Sequence, residues 1–360
     1  MSLENLRNQI DGVDAHILKL LSERQQLSAA IGEEKKRSGQ AITDSTREAA
    51  VMSRVRQMAC EAGLDAAVVE SIYHRIISAS KNVQGLTVAF QGEMGAYSQQ
   101  AALEYFGQTA QTLPCEKLEN AFAAVECAGA THAAVPVENS LEGSISKTYD
   151  LLLESPLRVC GEYMLRVSHC LIAAPQTTLD AIKRVYSHPQ ALGQCQSFLK
   201  HLGYRIIPSY DTAGAVKMLK EENLSDAAAV ASARSAAIYD MHILASGIED
   251  APYNYTRFFI LSSQDAQPTG CDKTSLVFSV KDRPGALYAF LKELSERNIN
   301  LSKVESRPTR HKPWEYNFYL DFDGHRLDKN ISEMLSALEE HALFIKVLGS
   351  YPRTSYGEHQ

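Results

Sequence analysis

Across the first 38 residues apolar side chains recur at Leu3, Leu6, Ile10, Val13, Ile17, Leu20, Leu27 and Ile31, and where the rhythm calls for another, the residue is Arg24. A guanidinium in an apolar seam is costly unless it meets an anion, so Arg24 points to a ligand or a carboxylate partner. The alternatives are a side chain that bends out of the seam or a pair with Glu23 or Asp14. Lys35 follows 11 residues later, after about 1100° of helical rotation and so on nearly the same face. Asp44, Arg47 and Glu48 stand where a second helix begins, although Ser45-x-x-Glu48 also reads as a capping box. Ser80 and Gln84 share one helix face at i, i+4. Residues 1–84 hold 11 basic and 11 acidic side chains, so these cations are placed one by one and form no diffuse basic patch.

Further along, polar groups gather just past short β-rich runs. Gln91-Gly92-Glu93-Met94-Gly95-Ala96-Tyr97-Ser98 follows one run and opens a helix; it lacks the G-x-G-x-x-G order and reads as a tight turn or as an anion seat of helix N-terminal amides. Glu138, Asn139 and Ser140 come just past another run. Ser187 and His188 precede a helix that carries Gln194, and Asn254-Tyr255-Thr256-Arg257-Phe258 enters the last run. His188 alone reads as a helix cap or a surface histidine. Together these are polar residues at several strand ends facing one cleft.

Arg7, Arg24, Lys35, Asp44, Arg47, Glu48, Ser80 and Gln84 resemble, in type and spacing, the pocket of the all-helical chorismate mutases. The resemblance implies that Arg7, Arg24, Arg47 and Ser80 grip the two carboxylates of chorismate. It also implies that Lys35 and Gln84 contact the ether oxygen, while Glu48 and Asp44 hold the ring hydroxyl. Lys35, Glu48 and Gln84 would then carry the catalysis. A Claisen rearrangement to prephenate needs no nucleophile, and no cofactor or metal is expected. It needs the dianion held in a compact chair while fixed cations stabilise charge growing on the ether oxygen. Arg7 and Arg24 are 17 residues apart, about 25 Å along a helix. Chorismate does not reach both, so Arg7 is expected to serve the pocket of a partner subunit.

The second cluster resembles prephenate dehydratase, from about Leu86 to Leu261, with Thr256-Arg257-Phe258 as its most diagnostic mark. The resemblance places Glu138, Asn139, Ser140, Ser187, His188, Gln194 and Arg257 around the substrate. Ser140 stands for the family's usual threonine, Glu93 for its proline and Ala96 for its serine or threonine. Prephenate loses a carboxylate and a ring hydroxyl together, so the protein must supply a proton for the departing hydroxide and an anchor for the other carboxylate. Thr256 is expected to donate a hydrogen bond to the leaving group, backed by a water, Glu138 or His188; Arg257 is the expected anchor by its charge. Asp282-Arg283-Pro284-Gly285-Ala286-Leu287 and Glu305-Ser306-Arg307-Pro308 resemble the amino-acid-binding ACT domain attached to dehydratases. There Gly285 would let backbone approach an amino acid closely, and phenylalanine is the implied allosteric inhibitor. In this order the three resemble the bifunctional chorismate mutase/prephenate dehydratases, with an arogenate dehydratase or a non-catalytic two-lobed sensor as rivals.

The elements that must position these groups fall into three textures. Residues 1–84 lack Pro and read as three helices, ending near Ser38, Glu61 and Val83, with Gly39 closing the first. The exposed heptad seam calls for a dimer of interlocked helices. Residues 86–262 alternate β-rich runs with helical stretches, which implies a mostly parallel α/β sheet, and the resemblance makes it two-lobed, like periplasmic binding proteins. Ser262–Asp272, with Pro268 and Gly270, reads as a linker. Residues 273–352 read as βαββαβ, the ferredoxin-like arrangement, with one strand over Trp314–Asp321. In such modules effectors sit between paired subunits.

A length of 360 residues with 45% hydrophobic and 22% charged side chains describes a multidomain globular chain. The net charge of -7 weighs against nucleic acid as a partner. No run of about 18 apolar residues occurs, so no membrane partner is expected. Seven Cys with no C-x-x-C pair read as reduced thiols of a cytoplasmic enzyme.

Overall fold

The structure, a computed structural model, describes residues 2–38, 44–309 and 315–354. Gly39 and Trp314, expected to end a helix and open a strand, lie outside the described residues. Two compact units form: the residues up to Thr87 with Phe106–Gln111, and the remainder.

In the first unit the three-four rhythm, interrupted only at Arg24, gives one helix, α1 (Leu3–Ser38), followed by α2 (Ser45–Glu61) and α3 (Ala66–Val83). Asp44 is the cap of α2, its carboxylate accepting from Arg47 N at 2.8 Å, because an anion is favoured at the positive end of a helix. The seam of α1 stays bare within one chain, with Leu3 at 65%, Ile10 at 60% and Val13 at 59% exposure.

The second unit begins with β1 (Thr87–Gln91), α4 (Tyr97–Phe106), β2 (Gln111–Cys115), α5 (Leu118–Glu126), β3 (His132–Asn139), β4 (Gly143–Ser144), α6 (Ser146–Glu154) and β5 (Arg158–Arg166). The chain then crosses to a second sheet. There it forms β6 (Cys170–Ala173), β7 (Arg184–Ser187), α7 (Pro189–Gln194), α8 (Gln196–Leu202) and β8 (Arg205–Pro208). After these come α9 (Thr212–Glu221), β9 (Ala227–Ala231), α10 (Ala233–Ile238) and β10 (His242–Ser246), before the chain returns as β11 (Tyr255–Ser262). The sheet orders are β2-β1-β3-β11-β5, with β4 on β3, and β10-β6-β9-β7-β8.

The expectation of a mostly parallel sheet is corrected. β1–β3, β7–β8 and β7–β9 are parallel, but β11 returns from the second sheet and inserts antiparallel between β3 and β5. β2 was not anticipated because it is largely exposed and shows no apolar alternation.

The last elements are β12 (Asp272–Ser279), α11 (Ala286–Glu296), β13 (Leu301–Pro308), β14 (Tyr316–Asp323), α12 (Lys329–Glu339) and β15 (Phe344–Pro352), in sheet order β13-β14-β12-β15. This is the expected ferredoxin-like topology. One face of the sheet, with Leu276, Phe278, Leu320 and Phe322, packs on Phe290, Leu294, Ile331, Met334 and Leu338 of the two helices. The other face puts Val277, Tyr319, Leu348 and Tyr351 into the same core as Val135, Val159, Phe259 and Leu261 of the first sheet. Strand pleating makes this possible, because alternate residues point to opposite faces. Contact is close enough that a Cβ on Gly349 would fall 2.1 Å from the Val159 carbonyl oxygen. Ser262–Asp272 therefore joins two sheets that share a core.

Candidate active sites

In the helical unit Arg24 turns inward. Its Nη1 donates to the Ser80 hydroxyl, which in turn donates to the Ile76 carbonyl at 2.8 Å. Glu48 pairs with Lys81 at 2.8 Å, a lysine the sequence reading passed over. Burial lowers the pKa of Lys35; Asp44 and Glu48 oppose the fall and Lys81 adds to it. The Gln84 amide oxygen is buried without a hydrogen-bond partner, the condition of a group that awaits a ligand. Lys35, Asp44, Glu48 and Lys81 thus share one electrostatic neighbourhood, and Arg24 meets Ser80, the residue before Lys81. Arg7 and Arg47 are exposed, and Arg7 lies far along α1 from that neighbourhood.

The second cluster divides across a sheet. β11 and β3 pair Thr256 with Asn139 and Arg257 with Glu138. Pleating sends the first pair to one face and the second pair to the other. On the first face Asn139 Nδ2 donates to Thr256 Oγ1 at 3.1 Å and to Asn254 Oδ1 at 2.8 Å. Asn254 Nδ2 donates to Gln194 Oε1 at 2.9 Å, which lies 3.0 Å from His169 Nε2. The other nitrogen of His169 lies 2.9 Å from the Tyr97 hydroxyl. Burial lowers the His169 pKa, so the imidazole is held neutral. Thr256 Oγ1 accepts from Asn139, so its hydroxyl retains the capacity to donate.

Arg257 is not in that cleft. Its side chain is 7% exposed, with Nη2 2.7 Å from Glu162 Oε2 and Nη1 2.6 Å from Asp321 Oδ2. Nη2 also donates to the Tyr351 hydroxyl at 3.0 Å. Burial opposes its charge, but Tyr351, Asp321 and Glu162 outweigh that and raise its pKa. A guanidinium so committed does not anchor a substrate carboxylate. Glu138 also departs from expectation, since it faces Lys303 of β13 at 2.8 Å. Both depart for the same reason: they are one residue out of phase with Thr256 and Asn139.

Other expected site residues have structural duties. Ser187 is fully buried and donates to the Val230 carbonyl at 2.5 Å. The Ser140 hydroxyl donates to Tyr253 O and accepts from Tyr255 N, both at 2.9 Å, which fixes the entry to β11. His188 caps α7, its Nδ1 accepting from Gln190 N at 3.3 Å, and it also lines a cavity of about 760 Å³ with Gly92, Tyr97, Ser98 and Tyr210. Glu93 also lines this cavity. Its carboxylate accepts from the Tyr210 hydroxyl at 3.1 Å and from Lys217 Nζ at 3.0 Å. Burial, reinforced by Glu93, pushes the Tyr210 pKa up to about 12. Tyr97 and Asn254 belong to motifs the sequence offered, without a role assigned to either; His169 carries no signal in the sequence.

Gly285 caps α11 at φ +81°, in the left-handed region, and Ala286 is buried behind it. Of the corner Glu305–Pro308, Ser306 and Pro308 are exposed. Glu305 accepts from Ser144, and Arg307 pairs with Asp150 at 3.1 Å. Among the described residues no His, Cys, Asp or Glu cluster is arranged to hold a metal ion, and no helix is long and apolar enough to cross a membrane.

Three family models match in order: chorismate mutase type II over residues 6–85, prephenate dehydratase over 88–266 and the ACT domain over 274–340. A bifunctional chorismate mutase/prephenate dehydratase of Aquifex aeolicus is 39% identical over 357 residues, 98% of each chain. An arogenate dehydratase/prephenate dehydratase of Arabidopsis thaliana is 42% identical over 78% of this chain and 76% of its own. Among solved structures, a prephenate dehydratase from Arthrobacter aurescens in complex with L-Phe is similar at a TM-score of 0.68 and 32% identity, over 74% of this chain and 90% of that one.

Proposed function

The chain belongs to the bifunctional chorismate mutase/prephenate dehydratases, and from that premise we propose how its residues divide the work. The enzyme rearranges chorismate to prephenate, then dehydrates and decarboxylates prephenate to phenylpyruvate. One observation carries the double activity: likeness to bifunctional relatives runs unbroken through both regions.

In the mutase, Arg24, Arg47 and Ser80 hold the carboxylates together with Arg7 of a partner subunit, in a homodimer or larger homo-oligomer. Lys35 and Gln84 face the ether oxygen, to which the ammonium and the amide nitrogen can donate. Asp44 and Glu48 take the ring hydroxyl. Catalysis follows from positioning and from cations fixed where charge grows.

In the dehydratase, Thr256 donates to the departing hydroxide. Asn139 holds the threonine oxygen, and Asn254, Gln194 and the neutral His169 hold Asn139. The anchor for the remaining carboxylate passes from Arg257 to groups that line the cavity, His188 and Ser98 among them. Phenylalanine is the effector, seated at Gly285, Ala286 and Leu287 and at the corner Glu305–Pro308. The Arthrobacter complex with L-Phe supports this reading. The unpaired thiols fit a cytoplasmic enzyme.

A second dehydratase substrate, arogenate, is favoured by the likeness to the Arabidopsis enzyme. Purified chain given chorismate, with prephenate and phenylpyruvate followed in time and phenylalanine added or withheld, tests the whole reading. Absence of phenylpyruvate from added prephenate would remove the dehydratase, and a parallel assay with arogenate settles the substrate.

A further inference from the structure

The pairing of β11 with β3 is irregular where it matters most. Arg257 lies opposite Glu138 but Phe258 lies opposite Pro136, so Val137 is an extra residue that interrupts the ladder. Beyond this bulge only the pairs Arg257–Glu138 and Thr256–Asn139 continue toward the cleft. A bulge bends its strand and weakens local pairing; β5 still pairs Thr256 with Leu165 and β4 pairs Asn139 with Gly143, and the segment gains further support from outside the ladder.

That support comes from the carboxyl-terminal sheet. Lys303 Nζ lies 2.8 Å from Glu138 Oε2 and donates to Ser144 Oγ at 3.0 Å. Asp321 Oδ2 holds Arg257 Nη1 at 2.6 Å. Each anchor grips the residue covalently next to a cleft residue, on the opposite face of the same strand. A strand pinned on one face cannot rotate about its axis, so the side chains on its other face are fixed as well.

We propose that Lys303 and Asp321 are positioning residues of the dehydratase, which hold Asn139 and Thr256 in place through Glu138 and Arg257. Lys303 also lies 3.2 Å from Glu305, in the corner assigned to phenylalanine. One ammonium is thus shared by a carboxylate of the effector corner and one attached to the catalytic strand. Effector occupancy reaches the cleft at this point, a clause that rests on the functional reading above.

Lys303 is the residue to test, because its carboxylate partners Glu138 and Glu305 are partly exposed, whereas those of Arg257 are buried. In the full chain, Lys303→Met should lower dehydratase kcat about tenfold while KM for prephenate changes little. Lys303→Arg should restore most of the rate, and the mutase serves as internal control. Hydrogen exchange at residues 136–140 and 255–257 should quicken in Lys303→Met. Phenylalanine should still bind by calorimetry but suppress a smaller fraction of turnover. Wild-type kcat in Lys303→Met would overturn the proposal, as would a rise in KM alone, which would make Lys303 a substrate contact. Were the wild type to turn over neither prephenate nor arogenate, the functional reading would fall. Exchange alone would then decide the positioning claim, and unchanged protection would refute it.

Discussion

The helices of residues 3–83 leave their apolar seam bare, with Leu3, Ile10 and Val13 each more than half exposed, whereas the ferredoxin-like sheet is covered on both faces. The two candidate sites inherit this difference. The candidate mutase site is built from long charged side chains, and Arg7 lies apart from it along α1. The Thr256 cluster is built from short amides locked to neighbouring strands, and one chain completes it. A site held by a ladder is robust to assembly state and sensitive to the phase of a strand. A site held by a seam has the opposite weakness.

The largest effect should follow from Thr256→Ala, which should lower dehydratase kcat by about 10²–10⁴-fold with a much smaller change in KM. A hydrogen bond that strengthens as charge develops is lost mainly from the rate constant. Mutase assays on the same variant should read as wild type; a dehydratase that also reads as wild type would make Thr256 structural. Next, Arg24→Ala should reduce mutase turnover by about 10²–10³-fold and spare dehydration of added prephenate. Mixing it with Arg7→Ala chains should restore part of the mutase activity, and failure despite demonstrated subunit exchange would place Arg7 outside the shared pocket.

A smaller effect, on stability, probes the sheet interface. Arg257→Met leaves Glu162 paired with Lys273 but the buried Asp321 carboxylate uncompensated, at a cost of about 3–5 kcal/mol. Denaturant unfolding of the second unit should show it, and an unchanged midpoint would mean that water enters this group freely. The smallest is Gly285→Val, which forces a branched residue to φ +81° at about 1–3 kcal/mol. It should move phenylalanine inhibition to higher concentration, read from an inhibition curve; an unmoved curve would put the effector elsewhere.

Much of this molecule was legible because periodicity is local. The seam announces α1 whatever covers it, and βαββαβ needs only its own strands and turns. What escaped depends on distant partners. Arg257 looks like a substrate anchor until Asp321, 64 residues away, and Glu162, 95 residues away, take its donors. Glu138 and Asn139 look like one motif until the pleat assigns them to opposite faces. Lys81 and His169 stand among ordinary neighbours and become visible only through Glu48 and Gln194. The mixed sheet escaped because a strand that returns from another lobe leaves no mark in its own sequence.

Tyr351, at the far end of β15, is among the largest fully buried side chains and belongs to the core that β3, β5 and β11 also line. A nascent chain therefore carries the dehydratase sheet with one face incompletely covered until β15 has been made. Amino-terminal regions fold first during synthesis, so the helices can pair while that face still waits. A ribosome stalled before β15 would display a competent mutase joined to an unfinished and aggregation-prone dehydratase. Maturation of the two activities is thereby set in the order in which their substrates are consumed.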